Sequence, residues 1–340
     1  MSDKLDAEAF LCYVSALEFV VAIITAILNM YFTLRINQLS TFSPNLRTIL
    51  TVEAILASIL PFLHLATYHI PEHLHSFKDG NYVSGVAFYL LMALHQVVMV
   101  VFESKYLLIA LERWVAYLAR RDYENRGSEL AYRLFLINLL IGVPILLFKW
   151  TSIWMVFDGA PMDLRLRRTF VLENYNDGLI PSYLGGFVLI FSAIAIFLWL
   201  NSQVSNCETY ANSLSESYEI RQTKAVLHYV KSLLASFIIL ICLCGVGLST
   251  IAYLKSVSHL DDDSAEFKIV FTFLYMCLSV YNFIAMLYMI RSFPQLQTVI
   301  IKDFPFLDSR GVAVHPAAEC DHAEAGRMYF QQLRDAWDTK

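Results

Sequence analysis

Charged residues are scarce in this chain of 340 residues. Asp, Glu, Lys and Arg make up only 16% of it, whereas an average soluble domain carries about 25%. The formal net charge of -5 gives no basic surface of the kind that binds nucleic acid, so no nucleic-acid partner is expected. Hydrophobic residues reach 57% and the mean hydropathy is +0.53. This composition is typical of a protein that lies in a lipid bilayer.

The chain also lacks a basic leader and a glycosylation signal. Asp3, Asp6 and Glu8 outnumber Lys4 before the first apolar run, and that run is longer than the core of a signal peptide. We therefore expect the first run to be retained as a membrane span. No Asn-X-Ser/Thr sequence occurs anywhere in the chain, so glycosylation gives no marker of topology.

Apolar runs long enough to cross about 30 Å of hydrocarbon recur along the chain. They cover residues 10–34, 46–70, 83–111, 131–157, 179–200, 226–254 and 267–290. The sequence therefore predicts an all-α membrane protein built as a seven-transmembrane helix bundle, with residues 1–9 before it and residues 291–340 after it. Pro294 suits the first turn of a further helix, and Leu296, Val299, Ile300 and Phe304 recur at helical spacing. This pattern predicts a short amphipathic helix along the inner membrane surface.

The distribution of basic residues predicts the orientation. With the N-terminus outside, the inner segments hold fifteen Lys and Arg residues and the outer segments six. Since basic residues are retained on the cytoplasmic side, we expect an extracellular segment 1–9 and a cytoplasmic tail 291–340. The run from Leu164 to Arg168 is the exception, because this topology places its three arginines outside.

The positions of the cysteines and histidines predict neither the stabilising disulfide of seven-helix receptors nor a metal site. No cysteine lies in the second outer loop or at the top of span three, so the disulfide that commonly ties those places in seven-helix receptors cannot form. His69, His73 and His75 cluster near the outer end of span two. Pro71 lies between the first two and would break a shared helix face, so we expect no metal and no cofactor.

Polar residues within the apolar runs are costly and by default mark function. Counted from the predicted inner ends, one tier holds five of them, namely Asn29, Glu53, Glu103, Lys105 and Asn282. Glu103 and Lys105 are two residues apart and should point to different faces, so Glu53 is the expected partner of Lys105. Either the tier is a hydrogen-bonded network with two arrangements, or Lys105 snorkels to the headgroups and Glu53 is capped by a hydroxyl.

Two groups of residues lie where spans three and six leave the lipid on the inner side. Glu112 and Arg113 end the apolar part of span three. Arg113 can belong simply to the positive inner flank, or it can be released from Glu112 when helices shift and then contact a cytoplasmic partner. Four basic residues share one face before span six, namely Arg221, Lys224, His228 and Lys231. That face either anchors the helix to anionic headgroups or borders the crevice that opens for a G protein.

The outer halves of the spans carry aromatic and polar side chains that suit a small-molecule pocket. The candidate ligand-binding residues are His64, Tyr68, His95, Met99, Trp150, Trp154, Tyr183, Tyr253 and Tyr275. Many such residues would also serve as interfacial aromatics or packing in any membrane protein.

Three segments resemble one family. The sequence ERWVAYLARRDYE, residues 112–124, resembles the end of span three in nematode serpentine chemoreceptors, particularly the class epsilon (Sre) group. Residues 214–233 are similar to that group's lead into span six, and residues 278–290 resemble a seventh span with its Asn at Asn282 but without the proline that often follows. The resemblance implies a GPCR-like fold, coupling to a heterotrimeric G protein, and a switch role for Glu112 and Arg113.

The sequence therefore predicts a G-protein-coupled chemosensory receptor, not an enzyme, with a small-molecule ligand, a heterotrimeric G protein and the lipid bilayer as its partners. Its expected location is the plasma membrane, and the resemblance implies the cilium of a sensory neuron. One alternative is a transporter or channel that uses Glu53, Glu103 and Lys105 as an ion path. Another is an intramembrane metal hydrolase that uses the histidines of span two, but the sequence has no metal-ligand motif combined with an intramembrane Asp.

Overall fold

The computed structural model describes residues 2–39, 42–70, 74, 77, 80–120, 123, 127–170, 176–207, 214–258 and 264–305. These residues form ten main helices and no strand. The helices are α1 (Ser2–Gln38), α2 (Pro44–His69), α3 (Tyr82–Glu103), α4 (Lys105–Leu118), α5 (Glu129–Val156), α6 (Met162–Phe170), α7 (Asn176–Cys207), α8 (Leu214–Ser258), α9 (Ala265–Ser292) and α10 (Pro294–Asp303).

Seven of these helices are long and apolar enough to cross a membrane, namely α1, α2, α3, α5, α7, α8 and α9. Large apolar side chains such as Phe148 and Leu198 are exposed on their outer faces, as expected for surfaces that lie against lipid. The predicted seven-helix, all-α fold is confirmed, and the chain is a multi-pass membrane protein. We call the end of the bundle that carries Arg113 the Arg113 end, and the other end, where α6 lies, the opposite end.

Span three is interrupted, although the sequence predicts one continuous run over residues 83–111. Helix α3 ends at Glu103 and α4 begins at Lys105, with Ser104 between them. The Ser104 amide lies 3.3 and 3.2 Å from the carbonyl oxygens of Val100 and Val101, and the Ser104 hydroxyl also donates to the Val101 carbonyl at 2.7 Å. This local tightening is a polar break that hydropathy alone does not detect.

Helix α8 begins earlier than its apolar run. It starts at Leu214 rather than at residue 226, because the polar turns before the apolar run have their own buried face, which includes Glu216, Glu219 and Thr223. These turns pack beside α4 at the Arg113 end. This extension supplies the α8 residues of the candidate functional site.

The segment after α9 forms the predicted amphipathic helix. Pro294 begins α10, and Leu296 and Ile300 are buried on one side of it. Its last residue, Asp303, accepts a 2.6 Å hydrogen bond from the Tyr31 hydroxyl and forms a 2.7 Å ion pair with Arg35. Helix α10 is therefore fastened to α1 at the Arg113 end.

Some sequence predictions fall outside the described part of the chain. They concern the residues His73 and His75, the side chains of Tyr68, His69 and Tyr183, and the tail from residue 306 onward.

Candidate functional site

The Arg113 guanidinium is fully buried although it lies near the end of α4. Its Nε and Nη2 atoms donate to the two carboxylate oxygens of Glu112, and its Nη2 atom also donates to the Ser43 hydroxyl at 2.8 Å. A buried guanidinium is tolerated only where its N–H groups find acceptors. The site therefore holds Arg113 in an internal, closed position.

Helix α8 supplies two further partners of Arg113. The Nη1 atom donates to Gln222 Oε1 at 3.0 Å and lies 3.6 Å from Glu219 Oε2. Two residues after the end of α4, Arg120 forms an ion pair with Glu216, the first acidic residue of α8. Arg113 of α4 and Arg120, just after α4, are thus paired with two glutamates of α8. This arrangement joins spans three and six at the Arg113 end of the bundle.

The loop before α2 and the segment after α4 complete the site around Glu112. Ser43 caps α2, because its hydroxyl accepts the Leu46 amide at 3.3 Å, and the same hydroxyl donates to Glu112 at 3.1 Å. The Tyr123 hydroxyl donates to Glu112 at 2.7 Å. The Glu112 carboxylate therefore contacts side chains from three parts of the chain. They are Ser43 before α2, Arg113 of α4 and Tyr123 after α4.

Tyr123 lies outside the membrane spans, and its environment keeps it in the protonated form. Burial and the negative charge of Glu112 raise the pKa of its phenol well above the ordinary value. A neutral phenol can donate to a carboxylate, whereas a phenolate would repel it. Tyr123 is therefore a stable hydrogen-bond donor to the site.

Arg221, Lys224, His228 and Lys231 lie on a different surface from the Arg113 site. All four are exposed, whereas Glu219, Gln222 and Thr223 of the same helix are buried. The predicted shared face is therefore present, but it points away from the partners of Arg113.

The predicted polar tier is divided by the structure. Asn29, Glu53 and Asn282 are buried among α1, α2 and α9. Lys105 is also buried, and it interacts electrostatically with Glu53. No ion pair within 4.0 Å joins these two residues in the described part of the chain, so they interact over a longer distance than a direct ion pair.

Aromatic rings surround the Lys105 ammonium instead. Its Nζ atom lies 4.0 Å from the ring centre of Phe102 and 4.6 Å from that of Tyr281. The rings of Phe237 and Tyr106 lie 5.2 and 5.3 Å away. Ring faces attract cations at these distances. The ammonium is therefore stabilised inside the bundle and does not snorkel to the headgroups.

Glu103 belongs to another part of the bundle. Its carboxylate faces Gly186 of α7, where an added Cβ would lie 3.9 Å from it, and it interacts electrostatically with Lys149 of α5. Glu103 and Lys105 thus lie on different sides of span three, with the Ser104 break between them.

Three of the candidate ligand-binding residues meet in one cluster toward the opposite end. The His64 ring stacks on the Tyr275 ring with centres 3.7 Å apart, and the Tyr275 hydroxyl lies 3.0 Å from His95 Nε2. Glu18 of α1 lies 2.8 Å from His64 Nδ1, and both side chains are fully buried. The cluster connects α1, α2, α3 and α9. Glu18 is absent from the polar residues that the sequence predicted to be functional, although an isolated carboxylate in the first apolar run is a signal of function.

A second missed residue, Gln96, organises the opposite end. Its Nε2 atom donates to the Phe170 carbonyl at 2.7 Å, and its Oε1 atom accepts the Trp150 indole N–H at 3.0 Å. Phe170 is the last residue of α6, so this buried amide fastens the loop helix to α3 and α5. Asp163 accepts the Phe77 amide at 3.2 Å and adds a further tie.

The other candidate ligand-binding residues are separated from one another. Met99 is partly buried beside the Tyr275 cluster. Trp154 lies under α6, where the Arg165 guanidinium is 4.1 Å from its ring centre. Tyr253 is 65% exposed and lines a shallow groove on the outer surface of α8, so it cannot share a pocket inside the bundle with His64.

Among the described residues, no group of three or more His, Cys, Asp and Glu side chains is arranged to hold a metal ion.

Comparison with known proteins finds no match, whether to a family model, to a curated protein or to a solved structure.

Proposed function

We propose that this chain is a G-protein-coupled chemosensory receptor similar to the class epsilon group of nematode serpentine receptors. A small molecule would bind toward the opposite end, and the Arg113 end would couple to a heterotrimeric G protein. The buried Arg113, whose partners belong both to its own helix and to α8, carries the proposal. Such a group changes its exposure when two helices separate.

The contacts divide into those that a helix movement would break and one that it would keep. Movement of α8 away from α4 would remove Gln222 and Glu219 from Arg113 and would break the pair between Arg120 and Glu216. Glu112 would stay beside Arg113, because the two are adjacent in sequence. The freed Nη1 side of the guanidinium could then donate to carbonyl or carboxylate oxygens of a cytoplasmic partner.

A ligand drives such a change only by binding the open arrangement more tightly. A difference of about 1.4 kcal/mol in binding free energy shifts the balance about tenfold. The cluster of His64, His95 and Tyr275 supports a ligand site toward the opposite end, because it joins four helices that converge there. Its hydrogen-bonding and aromatic groups suit a small molecule with both polar and apolar parts.

Ligand-free nucleotide exchange on a purified heterotrimeric G protein tests the proposal. The full chain is reconstituted in nanodiscs as wild type and as Glu219→Gln, which removes a negative charge 3.6 Å from Arg113. We expect exchange several-fold faster with Glu219→Gln than with wild type. Glu129→Gln is the matched control, because Glu129 also pairs with an arginine, Arg133, but in an exposed position.

A further substitution separates release from coupling. Arg113→Gln in the Glu219→Gln background should return exchange to the level of the G protein alone, because the group that would contact the partner is gone. Absence of any stimulation by wild type and by Glu219→Gln, across G proteins of all classes, would overturn the proposal.

A transporter or channel is the second candidate, and the polar tier supports it. Atoms of Asn29, Glu53 and Asn282 are buried without hydrogen-bond partners in the described part of the chain, as in a path that holds water or ions. This function requires current or uptake in protein-containing liposomes without any G protein. Glu53→Gln should abolish that flux and should leave nucleotide exchange unaffected.

The proposed location is the plasma membrane of a sensory neuron, in its cilium, with the N-terminus outside and the C-terminus in the cytosol. The excess of Lys and Arg in the segments at the Arg113 end supports this orientation.

A further inference from the structure

The first turns of α8 separate opposite charges onto two faces. Glu216 and Glu219 are buried and pair with Arg120 and Arg113, respectively. The basic residues lie on the exposed face, which we call the α8 basic stripe and which consists of Arg221, Lys224, His228 and Lys231. Both acidic residues of the described turns face inward, away from the basic stripe.

The stripe continues directly into an apolar surface. Its residues follow one another at intervals of three and four, and the same spacing leads to Ala235, Ile238 and Cys242, which are also exposed. Residues at this spacing share one helix face. Since exposed apolar side chains of a spanning helix contact hydrocarbon, the α8 basic stripe lies on the lipid-facing side, just beyond the hydrocarbon.

The stripe is long enough to cross the polar layer of the bilayer and reach the water beyond it. From Arg221 to Lys231 the helix rises about 15 Å at 1.5 Å per residue. The headgroup region of one leaflet is about 5–8 Å thick, and long basic side chains reach along the helix toward it. Lys231 lies nearest the hydrocarbon, and Arg221 lies on the aqueous side of the headgroups.

We propose that the α8 basic stripe binds the headgroups of anionic phospholipids. The stripe complements their charge, and its continuity with the apolar face of α8 places it where those headgroups are. A cytoplasmic protein is the less favoured occupant, because the stripe faces away from Arg113 and from the helix ends that would separate. Recognition requires the charge of the side chains, and all four side chains of the stripe are exposed.

Binding of phosphatidylserine labelled on an acyl chain to the full chain in detergent tests this proposal, with unlabelled phosphatidylserine and phosphatidylcholine as competitors. Each basic residue near an anionic membrane contributes about fivefold in affinity. We therefore expect the apparent Kd for phosphatidylserine to rise about tenfold or more in the variant Arg221→Gln, Lys224→Gln, Lys231→Gln. The preference over phosphatidylcholine should also weaken as salt is raised, because salt screens exposed charges.

Two controls separate charge from shape and position. The charge-preserving variant Arg221→Lys, Lys224→Arg, Lys231→Arg should bind phosphatidylserine as wild type does. The variant Arg133→Gln, Lys302→Gln removes exposed cations elsewhere at the Arg113 end and should also retain the preference.

The outcomes decide between the two occupants. An unchanged preference for phosphatidylserine in the charge-removed variant would overturn the proposal. If that variant also no longer stimulates nucleotide exchange, the α8 basic stripe is a contact for a protein and not for lipid. A weakened lipid preference supports the proposal whether or not the chain activates a G protein, since lipid binding is measured without one.

Discussion

Arg113 of α4 and Gln222 of α8 are joined by a 3.0 Å hydrogen bond between buried side chains. The bond connects the end of span three to a part of α8 that lies before its apolar run. Glu219 and Glu216, one turn and two turns earlier on α8, add ion pairs to Arg113 and Arg120. The two helices are thus held together by charge-assisted contacts that are lost together when the helices separate.

Ser43 has two roles that a matched serine can separate. Ser43→Ala removes the cap of α2 and also the contacts with Arg113 and Glu112. Ser264→Ala removes only the cap of α9, where the hydroxyl accepts the Phe267 amide at the same distance of 3.3 Å. A cap is worth about 1 kcal/mol, and a hydrogen bond to a charged group about 1.5–3 kcal/mol.

We therefore expect Ser43→Ala to lower the free energy of unfolding by about 1–3 kcal/mol more than Ser264→Ala does. Thermal unfolding of both variants in the same detergent measures the difference. Equal losses would show that Ser43 acts as a cap and not as part of the Arg113 site.

Tyr123→Phe should have an effect on stability that depends on pH. The folded protein raises the pKa of this phenol above its unfolded value, which is about 10. The protonated form is therefore favoured in the folded state, so its contribution is fully present below about pH 10 and is lost as the pH rises above that value. The stability difference between wild type and Tyr123→Phe should be largest near pH 7 and should shrink above about pH 10.

Chemical unfolding of both proteins over this pH range measures that difference. The control is Tyr132→Phe, which changes a side chain that is 63% exposed and should have little effect on stability at pH 7. A Tyr123→Phe difference that stays constant to pH 11 would contradict the assignment of Tyr123 as a protonated donor to Glu112.

Gln96→Leu should loosen α6 from the bundle. The substitution removes the hydrogen bonds to the Phe170 and Thr169 carbonyls and leaves the Trp150 indole N–H without its acceptor. Since no cysteine ties this loop to span three, the amide is a main tie between them. We expect faster hydrogen exchange over Met162–Phe170 by about tenfold or more, since each lost bond is worth about 1 kcal/mol.

Gln297→Leu serves as the control for that exchange measurement, because Gln297 bonds the Arg291 carbonyl at the Arg113 end. It should leave the exchange of α6 unchanged. If exchange over α6 is the same in Gln96→Leu and in wild type, the loop is held by its packing and not by Gln96.

The orientation of the chain can be measured with epitope tags at its two ends. The excess of fifteen over six basic residues predicts that the Arg113 end faces the cytosol. A tag before Met1 should be labelled on intact cells, and a tag after Lys340 only after permeabilisation. Labelling of the Lys340 tag on intact cells would reverse the orientation and would remove the basis for G-protein coupling at Arg113.

The sequence by itself determined the number of spanning helices and the amphipathic helix after them. Both follow from local patterns, because an apolar run of sufficient length must be helical in lipid to satisfy its backbone, and helical spacing in residues 294–304 is read without knowledge of any neighbour. The sequence also marked Glu112 and Arg113, because they are charged residues directly after an apolar run.

Only the tertiary structure decided which side chains meet. Gln222 and Ser43 carry no distinctive pattern, and their roles arise from contacts between helices that are distant in sequence. The expected contact of Glu53 with Lys105 was plausible by depth along the helices. The Ser104 break and the rings of Phe102 and Tyr281 instead provide Lys105 with a different environment. Hydropathy fixes how deep a residue lies, whereas the direction of its side chain depends on helix rotation and packing, which local sequence does not specify.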